Sequence, residues 1–394
     1  METQSTTYRY IVLGAGRQGT AAAYDLARFG DAAEIVLADL NPEAARRSAE
    51  RVNKLIGREV ARGRRLDVTD REALVEALSG MDVALSAVPY MYNLDITRAA
   101  ISARTHLCDM GGNTDVTVAQ LALTDEAAEA GISVVPDCGM GPGLINTLGA
   151  YAIDLLDEPR EIYLYDGGLP QNPRPPWNYQ LTFHINGLTN EYDGQAIFLR
   201  DGEIVLVDTL TELEMVDIPP LGRLEAFVAA GGLSTAPWTF QDRLRCYENK
   251  ILRYPGHCEW FRAFKTLGLF RLDPIQVGDQ TVIPREVYHA LLEPQITAPE
   301  IRDICLMRAK GIGKKDGQET VVFIDLVDYY DEETGFTAME RLTGWHCAIM
   351  MGFQARGKVR VGGVPMETAV PAAEFMEEIR RRGIRFEVRY EPAG

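Results

Sequence analysis

The chain lacks long apolar runs and any excess of positive charge. Its apolar runs fall short of the roughly 20 residues that a membrane span needs, and its start, METQSTTYRY, has no basic stretch before an apolar one. A net charge of −17 over 394 residues argues against a nucleic acid or an anionic membrane as partner. We therefore expect a cytoplasmic protein with a small-molecule ligand.

Disulfide and metal signals are also missing. Six cysteines are scattered without a CxxC pair, and five histidines lack the spacing of metal ligands. A chain of this length with so few cysteines is typical of a reducing compartment. We expect neither a disulfide framework nor a structural metal ion.

The residues that are present predict two domains. From residue 8 to GISVVPD, six short β-branched or apolar runs alternate with amphipathic stretches. This alternation predicts an α/β Rossmann fold, a doubly wound parallel sheet, over residues 1–140. Residues 141–343 are predicted to form a second α+β domain with a mostly antiparallel sheet, which binds substrate and mediates self-association into a homodimer or larger homo-oligomer.

Turn signals support the second domain. Asp201-Gly202 separates two strand-like runs, and KKDGQETVVFIDLVDYY with the following GFTAMERLT is interpreted as further hairpins. The segment 344–394 begins with the helical WHCAIMMGF and contains a last helix in PAAEFMEEIRRRG. We expect this segment to pack back on the first domain.

A glycine-rich turn follows the first strand. Gly14, Gly16 and Gly19 form GxGxxG between an apolar run and a helix-like segment. In that context the glycines allow the turn, the approach of a pyrophosphate and close helix packing, which predicts a dinucleotide site. The other residues assigned to this cofactor are Arg17, Gln18, Val88 and Pro89.

Two acids at strand ends bear on the identity of the cofactor. Asp39 ends the second strand, where a carboxylate meets the ribose hydroxyls and repels a 2′-phosphate. NAD is therefore expected, with NADP possible because Arg46 and Arg47 lie nearby in the sequence. Asp67 ends the third strand and either approaches the adenine or caps the next helix.

Several motifs together resemble one enzyme family. The series GAGRQG, SAVPYMYN, CDMGG, GISVVPDCGMGPG, YLYDGGLP, GRLEAF and LRYPGH is similar in order and spacing to the saccharopine reductase and L-lysine 6-dehydrogenase family. The resemblance implies an NAD(P)-dependent oxidoreductase that acts on a C–N bond of an amino acid. It covers about the first 270 residues well.

Two positions depart from the saccharopine branch. That branch has an acid where this chain has Gly141 and a cysteine where it has Asp166. The lysine 6-dehydrogenase branch resembles the chain better in PDxGxxPG, in EAF followed by GGxST, and in RYxGH. An L-lysine 6-dehydrogenase-like oxidative deamination is therefore the preferred prediction.

The resemblance also suggests site residues. Both branches keep a tyrosine at Tyr90, which either relays a proton or only shields the nicotinamide. Both keep an arginine at Arg253, which either pairs with the substrate carboxylate or forms a structural ion pair. His257 belongs to the lysine-type motif and is the candidate base.

Three further residues complete the predicted cleft. Asp109 and Asp137 each follow a strand, and either bind an ammonium group or a catalytic water, or cap the glycine turns after them. Tyr179, in the loop from Trp177, is assigned to substrate binding. We expect the cleft to be lined by Tyr90, Asp109, the Gly139–Gly143 turn and this loop.

Three functions remain open at this point. The first is an NAD-dependent amine dehydrogenase, which needs a base because a lysine ammonium has a pKa near 10.4. The second is NADPH-dependent reduction of an imine, as in saccharopine or carboxyspermidine synthesis. The third is a non-catalytic dinucleotide-binding sensor, which the departures at Gly141 and Asp166 leave open.

Overall fold

The computed structural model describes residues 6–393. The prediction made from METQSTTYRY falls partly on residues 1–5, which lie outside the described residues. In chain order the strands are β1 (Tyr8–Leu13), β2 (Ala32–Asp39), β3 (Ala61–Arg65), β4 (Val83–Ser86), β5 (His106–Asp109), β6 (Ser133–Val135), β7 (Glu158–Pro170), β8 (Gln195–Arg200), β9 (Glu203–Asp208), β10 (Glu214–Ile218), β11 (Gly222–Phe227), β12 (Cys246–Arg253), β13 (Ile275–Val277), β14 (Gln280–Val282), β15 (Asp303–Lys315), β16 (Gln318–Tyr329), β17 (Gly362–Gly363) and β18 (Arg385–Pro392). The α-helices are α1 (Arg17–Phe29), α2 (Pro42–Ile56), α3 (Arg71–Leu78), α4 (Asn93–Ala103), α5 (Thr114–Leu121), α6 (Thr124–Glu129), α7 (Ile145–Asp154), α8 (Ile185–Glu191), α9 (Ala236–Thr239), α10 (His257–Leu267), α11 (Pro284–Ile296), α12 (Ala338–Ala355) and α13 (Ala372–Arg381).

The first sheet is parallel and has the order β17-β6-β5-β4-β1-β2-β3. Along β1, Tyr10 and Val12 belong to one buried apolar cluster, and Ile11 and Leu13 belong to another. Since successive side chains of a strand point to opposite faces, both faces of the sheet are covered. The predicted doubly wound parallel sheet is confirmed, with β17 from near the C-terminus as a seventh strand.

The second sheet is mixed and mostly antiparallel, as predicted. Its strands run in the order β10-β11-β12-β7-β15-β16-β18, and the β8–β9 hairpin is attached through β12. Within this second sheet, as far as residues 6–393 form it, only the β12–β7 pair is parallel. The long strands β7, β12 and β15 form its centre and carry buried polar residues toward the first domain.

Two hairpin predictions are confirmed, β8–β9 and the β15–β16 hairpin in KKDGQETVVFIDLVDYY, and one segment was assigned wrongly. Asp201 and Gly202 have φ of 51° and 80° and join β8 to β9. The stretch GFTAMERLT is not a strand, because α12 starts within it. The Thr337 hydroxyl accepts a hydrogen bond from the amide of Glu340, and the Glu340 carboxylate accepts one from the amide of Thr337, which forms a capping box.

The C-terminal part of the chain joins both sheets. α12 packs closely on α1, and a Cβ at Gly344 would lie 2.7 Å from the carbonyl oxygen of Gln18. β17 pairs with β6 in the first sheet, whereas β18 pairs with β16 in the second. Along residues 6–393 no helix combines the length and apolar character needed to cross a membrane.

Candidate active site

The turn between β1 and α1 approaches the end of β4. Gly14 has φ of +102°, and a Cβ there would lie 2.5 Å from the carbonyl oxygen of Ala87. At Gly19 a Cβ would overlap the Gly14 carbonyl, so glycine lets α1 lie close to β1. At Gly16, by contrast, a Cβ would meet no atom within 4 Å, which leaves open space where a pyrophosphate is expected.

The first turn of α1 differs from those of α2 and α3 in having no capping side chain. α1 has no side-chain cap and no acid in its first turn, whereas Asn41 caps α2 and Asp70 caps α3. Arg17 is bound by Glu340 of α12, with Nε 2.6 Å from Oε1. The buried Oε1 of Gln18 accepts no hydrogen bond from the described residues. The helix dipole and free N–H groups of α1 therefore remain available to a phosphate.

Asp39 lies directly against the glycine turn. Its Oδ2 accepts a hydrogen bond from the amide of Ala15 at 2.8 Å, and its Oδ1 accepts one from the amide of Asn41 at 2.8 Å. These bonds hold the carboxylate beside the turn, where its negative charge opposes a 2′-phosphate.

Arg46 and Asp67, the other charged residues considered for the cofactor site, bind residues close to them in the sequence. Arg46 pairs with Glu43 and Glu50 on its own helix, each at 2.7 Å. Asp67 is exposed and accepts hydrogen bonds from the amide and hydroxyl of Thr69. Asp67 thus forms a local turn, and the prediction that it caps the next helix is wrong, because Asp70 caps α3.

The residues after β4 border the same turn. Val88 Cγ1 lies 3.3 Å from the position of a Cβ on Gly14. Pro89 precedes a single turn of 3-10 helix that begins at Tyr90. The ring of Tyr90, partly buried, lies 3.0 Å from the position of a Cβ on Gly112. These side chains therefore stand at the carboxyl end of the parallel sheet, where ligands of such sheets bind.

Asp109 is a buried carboxylate that organises two glycine turns. Its Oδ1 accepts hydrogen bonds from the amides of Gly111 at 2.8 Å and Asp137 at 3.0 Å, and its Oδ2 accepts one from Gln120 at 2.8 Å. Burial raises the pKa of Asp109 despite these donors. Because its oxygens are used inside the first domain, Asp109 mainly holds the backbone of the turns.

Asp137 links the two domains. Its backbone has φ of 63°, and its Oδ2 accepts hydrogen bonds from the hydroxyls of Thr117 and of Ser234 in the second domain. Its Oδ1 has no hydrogen-bond partner among residues 6–393. Burial, together with the charge of Asp109, raises the pKa of Asp137. A non-glycine residue at positive φ with a raised pKa is typical of a functional position.

Arg253 ends β12 and is the largest fully buried side chain of the second domain's site. Its Nε donates to the Tyr192 hydroxyl at 2.8 Å, its Nη1 to the carbonyl of Leu252 at 3.0 Å, and its Nη2 to Glu191 at 3.3 Å. A guanidinium has five N–H groups, so two remain beyond these three bonds.

His257 begins α10 and lies within an aromatic cluster. Its Nε2 is 3.0 Å from the Tyr192 hydroxyl, its ring also hydrogen-bonds the backbone of Trp177, and the ring of Phe261 stacks on it at 4.3 Å. Burial and then the charge of Arg253 hold the pKa of His257 well below 6.5. His257 is therefore neutral near pH 7, and protein groups occupy both of its nitrogens.

The loop after β7 contributes Tyr179 to this cluster. The Tyr179 ring lies 5.2 Å from the His257 ring and 5.2 Å from the guanidinium of Arg253. Its buried hydroxyl finds no partner in the described part of the chain. Trp177 instead packs on Trp260 at 5.7 Å. Of the two aromatic side chains in the loop, that of Tyr179 packs against the predicted site residues, whereas Trp177 contributes only its backbone to His257.

Three polar residues of the site had not been assigned from the sequence. Glu191, at the end of α8, pairs with Arg253, and burial raises its pKa to about 7. Asp166 of β7 accepts a hydrogen bond from Asn249 of β12 at 2.8 Å. Asp166 had been noticed only as a departure from a family pattern, and nothing in the sequence around Glu191 marks it.

The polar side chains of the first domain and those of the second domain meet at the Gly139–Gly143 turn. On one side Ser234 reaches Asp137, and on the other Gly141 lies against Asp166. The structure thus brings Arg253, His257 and Tyr179 together in the second domain, and Asp109 and Asp137 together in the first. Tyr90 lies against Gly112, the residue after Gly111, whose amide donates to Asp109.

Comparison with known families matches nearly the whole chain. Residues 10–135 match the family described as the saccharopine dehydrogenase NADP binding domain. Residues 139–384 match the saccharopine dehydrogenase C-terminal domain.

Individual relatives are distant. Saccharopine dehydrogenase (NADP(+), L-glutamate-forming) of Saccharomyces cerevisiae is 24% identical over 276 residues, which is 66% of this chain and only 60% of that protein. Carboxynorspermidine synthase of Vibrio cholerae is 24% identical over 365 residues, covering 84% of this chain and 83% of that protein. The solved structure of the apo yeast saccharopine dehydrogenase superimposes with a TM-score of 0.78 at 20% identity, over 98% of this chain and 100% of that chain. The fold is therefore the same.

Proposed function

Because the chain belongs to the saccharopine dehydrogenase family, we propose that it is an NAD(P)-dependent oxidoreductase acting on a C–N bond of an amino-acid substrate. The observation that carries this proposal is a buried arginine, Arg253, surrounded by the polar residues Glu191, Tyr192 and Tyr179. This group faces a glycine turn at the carboxyl end of a parallel sheet, which is the usual ligand-binding edge of such sheets.

The residues around the first glycine turn fit a dinucleotide. The space at Gly16 and the uncapped first turn of α1 would hold the pyrophosphate, and Asp39 would hold the ribose hydroxyls. When bound, a nicotinamide accepts or donates a hydride. We propose NAD as the preferred form, because Asp39 lies at the turn and Arg46 is already paired with two acids.

Arg253 would bind the substrate carboxylate. Its two remaining N–H groups suit one carboxylate, and its burial excludes competing water. Tyr179 is assigned to substrate binding beside it, because its buried hydroxyl lacks a protein partner. The three bonds to Tyr192, Leu252 and Glu191 fix the guanidinium before substrate arrives.

Oxidation of an amine requires that its nitrogen lose a proton. His257 is a poor acceptor in this arrangement, because both of its nitrogens are hydrogen-bonded to the protein. We propose that His257 positions Tyr192 and through it Arg253. Glu191, whose pKa is about 7, and Asp137, whose pKa is also raised, are the carboxylates suited to take the proton near neutral pH.

The direction of the reaction separates two proposals. In oxidative deamination of a lysine-like amine, hydride leaves the carbon that carries the nitrogen, and the imine is then hydrolysed with release of ammonia or cyclises. Imine reduction is the second candidate, favoured by the similarity to carboxynorspermidine synthase over 84% of the chain. The same Arg253 and carboxylates would then bind an imine and supply a proton to its nitrogen.

A substrate screen tests both directions. Amino acids and polyamines are mixed with NAD or NADP, and the absorbance of the reduced nicotinamide and the release of ammonia are followed. In parallel, amines are paired with carbonyl acids and NADH or NADPH, and loss of absorbance is followed. Reduction of NAD by an amine supports the first proposal, and oxidation of NADPH only with an amine–carbonyl pair supports the second.

A further inference from the structure

Gly141 is not required by its backbone. Its φ of −122° and ψ of 118° describe extended backbone, which any residue adopts. A Cβ at this position would have only one neighbouring side chain within 4 Å, Asp166, with Oδ2 at 3.1 Å and Cγ at 3.8 Å. Glycine at 141 therefore preserves space in front of the Asp166 carboxylate.

The Asp166 carboxylate is anchored by one oxygen and open at the other. The residue is 8% exposed, and its Oδ1 accepts a hydrogen bond from Asn249 at 2.8 Å. Asn249 is itself confined, since a Cβ on Gly232 would lie 2.6 Å from its Oδ1. Within residues 6–393 no group donates a hydrogen bond to Oδ2 of Asp166.

Oδ2 of Asp166 is not among the fully buried atoms that lack a partner, so the space beside Gly141 gives water or a ligand access to it. Burial raises the pKa of Asp166, and the hydrogen bond from Asn249 and the charge of Arg253 oppose that shift. The hydrogen bonds of Arg253 go to Tyr192, Leu252 and Glu191. A donor to Oδ2 therefore enters beside Gly141, either as water or as a ligand group that displaces it.

We propose that Oδ2 of Asp166 and the space at Gly141 form a subsite for a protonated amino group of the substrate. This rests on the proposed function and narrows its substrate class to amines that also carry a carboxylate for Arg253. An ammonium group can displace water from Oδ2 and donate to it, and a charge-assisted hydrogen bond to a carboxylate is the strong kind. Gly141 admits that group, and any larger residue would occupy its place.

The test measures binding by calorimetry in the presence of NADH, so that no turnover interferes. Three ligands are compared: L-lysine, L-norleucine, which lacks the side-chain amine, and 6-aminohexanoate, which lacks the α-amine. The wild-type protein should bind lysine about tenfold or more tightly than one of the two analogues. That analogue is L-norleucine if Asp166 binds the side-chain amine, and 6-aminohexanoate if it binds the α-amine. Asp166→Asn should abolish that difference, and Gly141→Ala should reduce it.

Two further variants separate a binding role from a structural one. Asp325→Asn is the matched control, because it removes the charge of a carboxylate from the same sheet. Asp325 lies two strands away from Asp166, on the opposite face, where it pairs with Arg308. It should leave the discrimination unchanged. The double variant Gly141→Asp/Asp166→Cys should recover affinity for lysine relative to Asp166→Cys alone, because it returns a carboxylate to the same space.

Several outcomes would overturn the subsite. In the first, Asp166→Asn discriminates among the three ligands as the wild type does. In the second, the double variant binds lysine no more tightly than Asp166→Cys. A wild-type protein that binds none of the three ligands also overturns the subsite, even if the screen finds activity on another C–N substrate. If the wild type binds lysine through Asp166 but no amine or imine is turned over, the subsite stands and the proposed function fails.

Discussion

Arg253 and His257 are joined through a single hydroxyl, that of Tyr192, which accepts from Arg253 Nε at 2.8 Å and lies 3.0 Å from His257 Nε2. A neutral imidazole that accepts the hydroxyl proton leaves the oxygen lone pairs to the guanidinium. The three side chains therefore act as one unit that orients a buried cation. His257 contributes to binding through this chain and does not need to touch the reacting nitrogen.

We predict that His257→Asn mainly raises KM. Loss of its hydrogen bond frees the Tyr192 hydroxyl and loosens Arg253, which should cost about tenfold in KM with a smaller change in kcat. Tyr192→Phe should have a similar effect, and the double variant should be little worse than either single variant because the groups act in series. If His257→Asn instead removes the acid limb of the pH profile of kcat, His257 is the base.

Arg253 should be irreplaceable even by lysine. Arg253→Lys retains the charge but loses the planar fork that is bound at three points, so KM should rise by a factor corresponding to about 2 kcal/mol or more. NAD affinity, measured by nicotinamide fluorescence with NADH, should remain within error of the wild type. An Arg253→Lys variant with unchanged KM would show that another group binds the carboxylate.

Glu191 should set the pH dependence of turnover. Because burial raises its pKa to about 7, kcat/KM for amine oxidation should increase as pH rises through this value and Glu191 loses its proton. Glu191→Gln should remove that limb and lower kcat by about a hundredfold or more. Glu203→Gln, which changes an exposed acid on β9, is the control. If the limb survives Glu191→Gln, Asp137 is the next residue to replace.

The same carboxylates make stability dependent on pH. Glu191 and Asp328 have folded-state pKa values raised to about 7 by burial, so from about pH 5 to about pH 7 the folded state retains protons that the unfolded state has lost. His289 and His346, with pKa values lowered to about 4 by burial, act in the opposite direction, because the unfolded histidines lose their protons only as pH rises through about 6.5.

The contribution of each such carboxyl group to the free energy of unfolding should therefore fall by about 1 kcal/mol for each pH unit between about pH 5 and about pH 7, and the histidines offset part of this fall. Urea denaturation of the wild type and of Glu191→Gln at these two pH values isolates the contribution of Glu191, because the histidine contributions are common to both proteins. An equal change of the free energy of unfolding in the two proteins would contradict the raised pKa of Glu191.

Asp39 should decide between the two cofactors. Asp39→Asn keeps an acceptor oxygen for the amide of Ala15 but removes the charge that opposes a 2′-phosphate, so NAD binding should weaken and NADP binding should improve. Dissociation constants for both cofactors, measured by calorimetry, report the change. A wild-type protein that binds NADP more than about tenfold tighter than NAD would contradict the proposed role of Asp39.

The sequence predicted the parts of the molecule that rest on local rules. The turn at Gly14 and Gly16 and the hairpin at Asp201-Gly202 each depend on backbone preferences that short motifs carry. The start of α12 followed such a rule too, but the capping box at Thr337 was overlooked in favour of a strand pattern.

The site was less predictable because its contacts cross between distant segments. Glu191 and Asn249 reach Arg253 and Asp166 only after α8 and β12 come together, and no spacing in the chain marks them. The motif RYPGH gave Arg253 and His257 as a pair, but not the Tyr192 hydroxyl that occupies both. Burial then changed the chemistry expected of His257, since its pKa depends on the surrounding rings and charge.

The most direct test of the account is the transfer of deuterium. The best amine from the screen is labelled with deuterium at the carbon that carries the reacting nitrogen, and the nicotinamide is analysed by mass spectrometry after reaction with NAD. The account predicts that the reduced nicotinamide gains one deuterium from that carbon, with loss of transfer in Arg253→Lys at low substrate concentration. It would be contradicted if no amine reduces NAD or NADP and no amine–carbonyl pair oxidises NADH or NADPH.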